Sequence, residues 1–314
     1  MNYNEILPHI ESTDYNINFW DAMKGKLANP DKLKKGRVSN SGTYALPTAN
    51  TEKYMAAIRK HSVFRKLATT VKAYGSDYRI WAKDSKDLAV WVPEGEEIPM
   101  YNTEKDFNVA SVESHKLAIL VKTDDDFIND MSFNFENYLI GKLGKCFARA
   151  EDSAFIYGTG VRTPTGILDT KNGANIGVTS AEVTYDDVIR LYFSVEPEYR
   201  TNGVWLMNDK TACLLRTLKD DAGNYLWNSV YNTILGKEVV ISEFMPDIGE
   251  GEKPIAFGDF SYYWIVVRKP VSVRAIKEKF IVNNQIGHLA VEFLDGKLIR
   301  PDAIKVMEIS SATV

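Results

Sequence analysis

Between Phe133 and Tyr157 the chain reads FNFENYLIGKLGKCFARAEDSAFIY, and one stripe of that stretch stays apolar from end to end. Phe135, Leu139, Leu143, Phe147, Ala154 and Phe155 return near helical spacing, which predicts a single amphipathic helix. At 1.5 Å per residue it would run to about 37 Å, long for a globular domain. Ser132 or Asn134 can cap its start, and Gly158 stands where a left-handed C-terminal cap belongs. Any fold for this chain has to be arranged around that rod.

The flanking patterns predict an α+β chain in two regions. The segment TEKYMAAIRKHSVFRKLATT reads as one amphipathic helix through Tyr54, Ile58 and Leu67. DYRIWAK and LAVWVPEG, separated by the turn cluster KDSKD, read as a hairpin, and FNVASVESHKLAILVKT as a further strand or strand pair. After TKNGANIGVTS the pattern restarts with YDDVIRLYFSV as helix, GVWLMN as strand and DKTACLLRTLKD as helix. Short strands follow in KEVVIS, PIAFGDF, YYWIVVR, VSVRAI and AIKVMEI. The first 42 residues read as an arm: NFWDAMKG could form a short helix, but NPDKLKKGRVSNSG is polar, turn-rich and expected to be mobile.

Function classes narrow from the same letters. The loop GTGVRTPTGIL follows a helix instead of opening one, and no Gly-Lys-Ser or Gly-Lys-Thr accompanies it, so a helix stop with a tight turn is favoured over a phosphate cradle. The acidic run KTDDDFIND (Asp124, Asp125, Asp126, Asp130) could ligate a cation, but its place before a helix favours capping and solvated charge. His9, His61, His115 and His288 are scattered without metal or catalytic spacing, and Cys146 and Cys213 form no ligand pair. No catalytic, cofactor or metal residue is therefore expected. The net charge of −4 carries no overall basic footprint for nucleic acid. The N-terminus has no signal-peptide pattern, and YYWIVV is too short to span a bilayer, so no membrane association is expected. Trp81, Trp91 and Tyr101 could stack bases, yet an aromatic-rich hairpin without a basic groove more often packs on another protein.

An ordered series of motifs carries a resemblance. AVWVPEGEEIP, HKLAILVKTDDDFIND, RAEDSAFIYGTGVRTPTGIL, LKDDAGNYLW, ILGKEVVISEFMP, AFGDFSYYWIV and LIRPDAIKVMEI follow one another along the chain. Together they resemble the major capsid proteins of tailed bacteriophages and prophages, with the Hong Kong 97-type fold, from about Gly42 onward. The resemblance implies an N-terminal arm (1–42), a P-domain beginning at 43–170, an A-domain at 171–261 and a return to the P-domain at 262–314. Within the first P-domain segment it implies an E-loop hairpin at about 78–107 and a spine helix at 133–157. It implies a shell subunit that self-assembles as pentamers and hexamers around double-stranded DNA without sequence-specific contact, in the virion and, during assembly, the host cytoplasm. A portal is an implied partner, together with either a separate scaffolding protein or the short arm acting as one. Trp81, Trp91, Ile98 and Tyr101 become candidate contacts between subunits.

Some members of that family join their subunits by a lysine–asparagine isopeptide bond promoted by a glutamate. Asn284 matches the asparagine, but Val291 occupies the glutamate position and the lysine position falls near Met100, with Lys105 and Glu292 close but out of register. No cross-link is expected. The rival readings are an encapsulin-type compartment around protein cargo and, further off, a nucleotide- or metal-dependent enzyme built on the GTG and DDD segments.

Overall fold

The computed structural model describes residues 3–26, 30–38, 42–73, 79–83, 107–130, 132–219, 223, 225, 227 and 232–310. The chain opens with helices α1 (Tyr3–Ile10) and α2 (Thr13–Met23) and a 3-10 run at Pro30–Gly36. Strand β1 (Tyr44–Ala45), helices α3 (Thr48–His61) and α4 (Phe64–Leu67) and strand β2 (Thr69–Lys72) come next. Strands β3 (Arg79–Lys83), β4 (Phe107–Ser111) and β5 (His115–Asp124) lead to helices α5 (Asp125–Asn129) and α6 (Phe135–Tyr157).

The second half carries β6 (Asn175–Ser180), α7 (Tyr185–Ser194), α8 (Pro197–Arg200), β7 (Val204–Met207) and α9 (Asp209–Thr217). It continues through β8 (Thr233–Ile234), β9 (Lys237–Ile241), β10 (Ile255–Gly258), β11 (Tyr263–Ile276), β12 (Gln285–Leu298) and β13 (Ile304–Ile309).

Two sheets organise these elements. The first runs β1-β11-β12-β5, with β2 added in parallel to β11, and the second runs β6-β13-β10-β7-β9-β8. The rod α6 lies against α3 and the first sheet; a Cβ on Gly144 would stand 2.6 Å from the Ala57 Cβ, so only glycine lets the two helices approach this closely. Tyr54 and Phe147 meet edge-to-face across that crossing. The first sheet and these helices enclose one core, and β7, β10 and β13 with α7 and α9 enclose a second. A third joins them: Phe64, Phe155 and Tyr263 form a triangle of rings 5.2–5.5 Å apart, and Leu206, Ala256 and Val306 reach it from the second sheet.

Six sequence expectations need correcting. The described residues ahead of Gly42, 3–26 and 30–38, do not stand off from the fold as an arm. Phe19, Trp20 and Met23 of α2 and Leu33 of the 3-10 run are buried in the first core. Trp20 donates its indole N–H to Asn50 Oδ1 at 3.1 Å, and the Tyr15 hydroxyl donates to the Ala45 carbonyl at 2.8 Å. The helix read through residues 51–70 is instead α3 and α4 with a break at Ser62–Val63, because Asp152 accepts from Ser62 Oγ, Val63 N and Phe64 N and restarts the helix there.

Strand β3 pairs with β4 (Arg79 opposite Ser111, Lys83 opposite Phe107), not with LAVWVPEG, which lies outside the described residues. Gly158 is not left-handed (φ −60°, ψ 145°); it is there for space, since a Cβ would sit 2.0 Å from the Pro164 carbonyl oxygen. Finally, residues 262–314 do not return to one sheet. β11 and β12 lie in the first, but β13, which buries apolar side chains on both faces, is inserted in the second between β10 and β6. The YYWIVVR and VSVRAI runs are one strand, β11, with register irregularities around Arg268 and Pro270.

Candidate functional site

The glycine loop after α6 is built from hydrogen bonds that leave little for a ligand. Gly158 donates its N–H to Ala154 O, Gly160 to Pro164 O, Thr165 to Gly296 O and Gly166 to Gly158 O, while Ile167 and Leu168 donate to Phe155 O and Ile156 O. Six amides that a phosphate would need are thus spent on carbonyls, and the Tyr263 hydroxyl ties down Thr165 O at 2.7 Å. Gly160 (φ 77°) and Arg162 (φ 65°) turn the chain back on the helix end, leaving Val161 at the tip 73 % exposed. The loop is a turn, as the sequence order argued. The acidic run behaves likewise: Asp124 accepts from the Gln285 side-chain amide, and Asp130 from Ser132 N and Oγ. Among the described residues no cluster of three or more His, Cys, Asp or Glu could hold a metal ion.

The densest ionisable cluster lies inside the molecule. Arg65 of α4 donates through Nε and Nη2 to the two oxygens of Glu151 on α6, both at 2.8 Å, and its Nη2 lies 3.5 Å from Glu292 Oε1 on β12. The Tyr54 hydroxyl of α3 donates to Glu292 Oε2 at 2.7 Å. Burial, reinforced by the charge of Glu151, pushes the Glu292 carboxyl up to about 7, and burial also raises the neighbouring Asp152. All four members are closed off from solvent, so the cluster braces three helices against the sheet and offers no substrate access. Sequence spacing gave no hint of it, because Arg65 and Glu292 are 227 positions apart (292 against 65).

The histidines are structural or solvent-facing. His288 is fully buried with Nε2 2.9 Å from Met23 O, and burial lowers its pKa; His115 stands 3.4 Å from Asp295; His61 is exposed.

The surfaces suited to other copies of the chain are partly described. Among the described residues β3 and β4 form a two-stranded ribbon that joins neither sheet. Trp81 falls in that ribbon opposite Val109, whereas Trp91, Ile98 and Tyr101 lie outside the described residues, as do Met100 and Lys105. The β11–β12 turn is a second projection: Ile281 is 72 % and Val282 92 % exposed, and Asn284 beside them is left-handed (φ 51°). Sequence reasoning missed this pair, although an apolar Phe-Ile-Val run inside a Lys- and Asn-rich turn was the available signal. Val291 is buried in β12 opposite Ala118 and Ser272, and the buried Glu292 carboxylate is engaged by Tyr54 and Arg65, so it cannot stand in for the missing glutamate.

Residues 42–309 match the Phage capsid family. The chain belongs to that family. A probable major capsid protein, gp17 of Mycobacterium phage D29, is 25 % identical over 224 residues, spanning 66 % of this chain and 68 % of that protein. Among solved structures, the capsid of an empty GTA particle, computed with C5 symmetry, superposes with a TM-score of 0.69 at 28 % identity over 80 % of this chain and 90 % of its own. A chain of Gordonia phage Cozz shares the fold at a TM-score of 0.58, 15 % identity and 80 % and 87 % coverage. The fold is the Hong Kong 97-type capsid fold, and the role it carries is structural: this is a major capsid protein of the phage type.

The family match begins at residue 42, and α1, α2 and the 3-10 run in front of it pack into the first core.

Proposed function

We propose that the chain closes into an icosahedral head shell of pentamers and hexamers around double-stranded DNA, which it encloses without reading its sequence. The observation that carries this reading is the β3–β4 ribbon. A two-stranded hairpin is marginal in water, and this one gains no third strand among the described residues, so it needs a surface supplied from outside the subunit. In a shell that surface is a neighbouring copy. The ribbon is then the stem of the E-loop, and Trp81, Trp91, Ile98 and Tyr101 are the intersubunit contacts.

The elements of the first sheet with α6 take the part of the P-domain, and those of the second sheet the part of the A-domain at the symmetry axes. The five-fold symmetric GTA capsid among the similar structures supports that arrangement. Assembly in a host cytoplasm with a scaffolding protein and a portal belongs to the same proposal. Phage and GTA capsids as the matched relatives favour a head shell over an encapsulin-type compartment. Size-exclusion chromatography and electron micrographs of the purified protein test it: closed shells, or capsomers that close on a change of salt or crowding, are expected. A monomer at high concentration across all such conditions would overturn it.

A further inference from the structure

The overall charge of −4 conceals a segregation of charge on the packed helices α3, α4 and α6. Arg59 and Lys60 end α3, Lys66 lies on α4, and Lys142 and Lys145 lie three positions apart on α6; all five are exposed. The close crossing of α3 and α6 at Gly144 and Ala57 brings Lys145 to the end of α3. His61 registers the result: after desolvation, the charges of Lys145, Lys60 and Lys66 are what lower its pKa. None of the five cations has an ion-pair or hydrogen-bond partner among the described residues.

The acids of these helices do not offset them. Glu151 and Asp152 are buried and engaged, Glu136 already lies 3.8 Å from Lys24, and only Glu52 is left on the exposed side. Unpaired like charges held side by side on rigid elements repel one another, and a polyanion relieves that repulsion.

We propose that this helical face, centred on Lys60, Lys66 and Lys145, lines the interior of the shell and binds the phosphate backbone of the enclosed duplex DNA. The proposal rests on the shell reading above and adds the surface by which the shell meets its contents. Phosphate contacts of this kind position a duplex without reading bases. Four of the five cations are lysines, compact charges on flexible stems that suit phosphates met in varying register. An acidic protein segment is the rival occupant, but protein interfaces concentrate their energy in large apolar or aromatic anchors. Between Tyr138 and Tyr157 the exposed side of α6 presents Lys142, Lys145, Arg149 and Ala150 and no such anchor.

Unassembled subunits titrated with a fluorescent mixed-sequence duplex of about 24 base pairs, at roughly 50 to 200 mM salt, provide the test. Wild type should bind with an affinity that falls steeply with salt. K60E/K145E should bind at least about tenfold more weakly at the lowest salt, with a log–log salt slope shallower by about two. K60A/K145A should fall between, and K171E, on the exposed loop that follows α6 and outside the five cations, should match wild type. Unchanged thermal unfolding separates lost contacts from lost fold.

Folded double variants whose affinity and slope equal those of wild type would overturn the proposal, as would binding of polyglutamate but not duplex. Micrographs of the same preparations keep the two readings apart. Shells that close with duplex binding unaltered in K60E/K145E refute the surface and leave the shell reading standing. A wild type that closes no shell under any condition refutes the shell reading and the interior assignment with it.

Discussion

Glu292 sits with its carboxylate sealed between Arg65 and Tyr54, and its folded pKa of about 7 stands above the ordinary value of 4.5. A carboxyl raised in this way is protonated in the fold at pH values where it is ionised in the unfolded chain. Folding therefore takes up a proton between about 4.5 and 7, and the stability that goes with it is fully present below 4.5 and lost as pH rises through 7. Glu292→Gln removes the titration and keeps an acceptor for the Tyr54 hydroxyl. The fall in melting temperature from pH 5.5 to 8 should be visibly smaller in the variant than in wild type. Equal slopes would mean that Glu292 does not titrate in this range.

Two glycines of the same rod make an opposed pair. Gly141 on α6 has nothing within 4 Å of an added Cβ, so Gly141→Ala should stabilise the subunit by about 0.5–1 kcal/mol through helix propensity. At Gly158 the added atom would meet the carbonyl oxygens of Pro164 at 2.0 Å and Ala154 at 2.5 Å, backbone that cannot step aside. Gly158→Ala should cost about 1–3 kcal/mol. Denaturant unfolding of the two variants reads both signs.

Among the elements, the proposed shell reading assigns the ribbon to assembly, whereas α2 serves the subunit's own core. Replacing residues 84–106, beyond the β3–β4 stem, with a short Gly-Ser linker should leave a soluble, cooperatively melting protein that no longer closes shells. Trp91→Ala should weaken closure in the same direction, as truncation of an interface anchor costs about 2 kcal/mol or more. Normal shells from the linker variant would show that the hairpin is not the intersubunit element; failure to fold would assign it to the subunit's own core. Trp20 behaves oppositely. It is buried against Phe135 and bonded to Asn50, so Trp20→Ala should lower subunit stability by about 3–5 kcal/mol before any question of assembly arises.

The contrast between α6 and α2 explains what could be read from the letters. Helix α6 announces itself because its apolar residues keep period for more than twenty positions, and Asn134 indeed caps it by accepting from Asn137 N. Helix α2 has the same physics in eleven residues, followed by a polar run whose composition dominated the reading. β12 escaped as a strand because His288, Glu292 and Asp295 break its apolar pattern, and each is buried only because a partner distant in sequence satisfies it. Local pattern is legible. Long-range pairing of polar groups is not.

For the whole molecule, the cross-link question can be put to mature shells. Val291 is buried where the promoting glutamate would be needed, and the Glu292 carboxylate next to it is committed to Tyr54 and Arg65. Boiled, denatured shells should run as a single band near 35.4 kDa, and a ladder of multiples surviving denaturant would contradict this. Because α1 and α2 lend Ile6, Ile10, Phe19 and Trp20 to the first core, limited proteolysis of the folded subunit should spare them. Early loss of these helices without loss of the remaining fold would overturn that expectation.

The insertion of β13 between β10 and β6 has a consequence in time. Every other strand of the second sheet leaves the ribosome earlier, yet among the described residues β6 has no partner in that sheet except β13, and Ser310 N completes the seam by donating to Ser180 O. A nascent chain can therefore pack α6 and form separate pieces of the second sheet, but it cannot close that sheet until residues 304–309 have been made. A polypeptide halted before residue 304 would present an open sheet edge in place of a closed sheet.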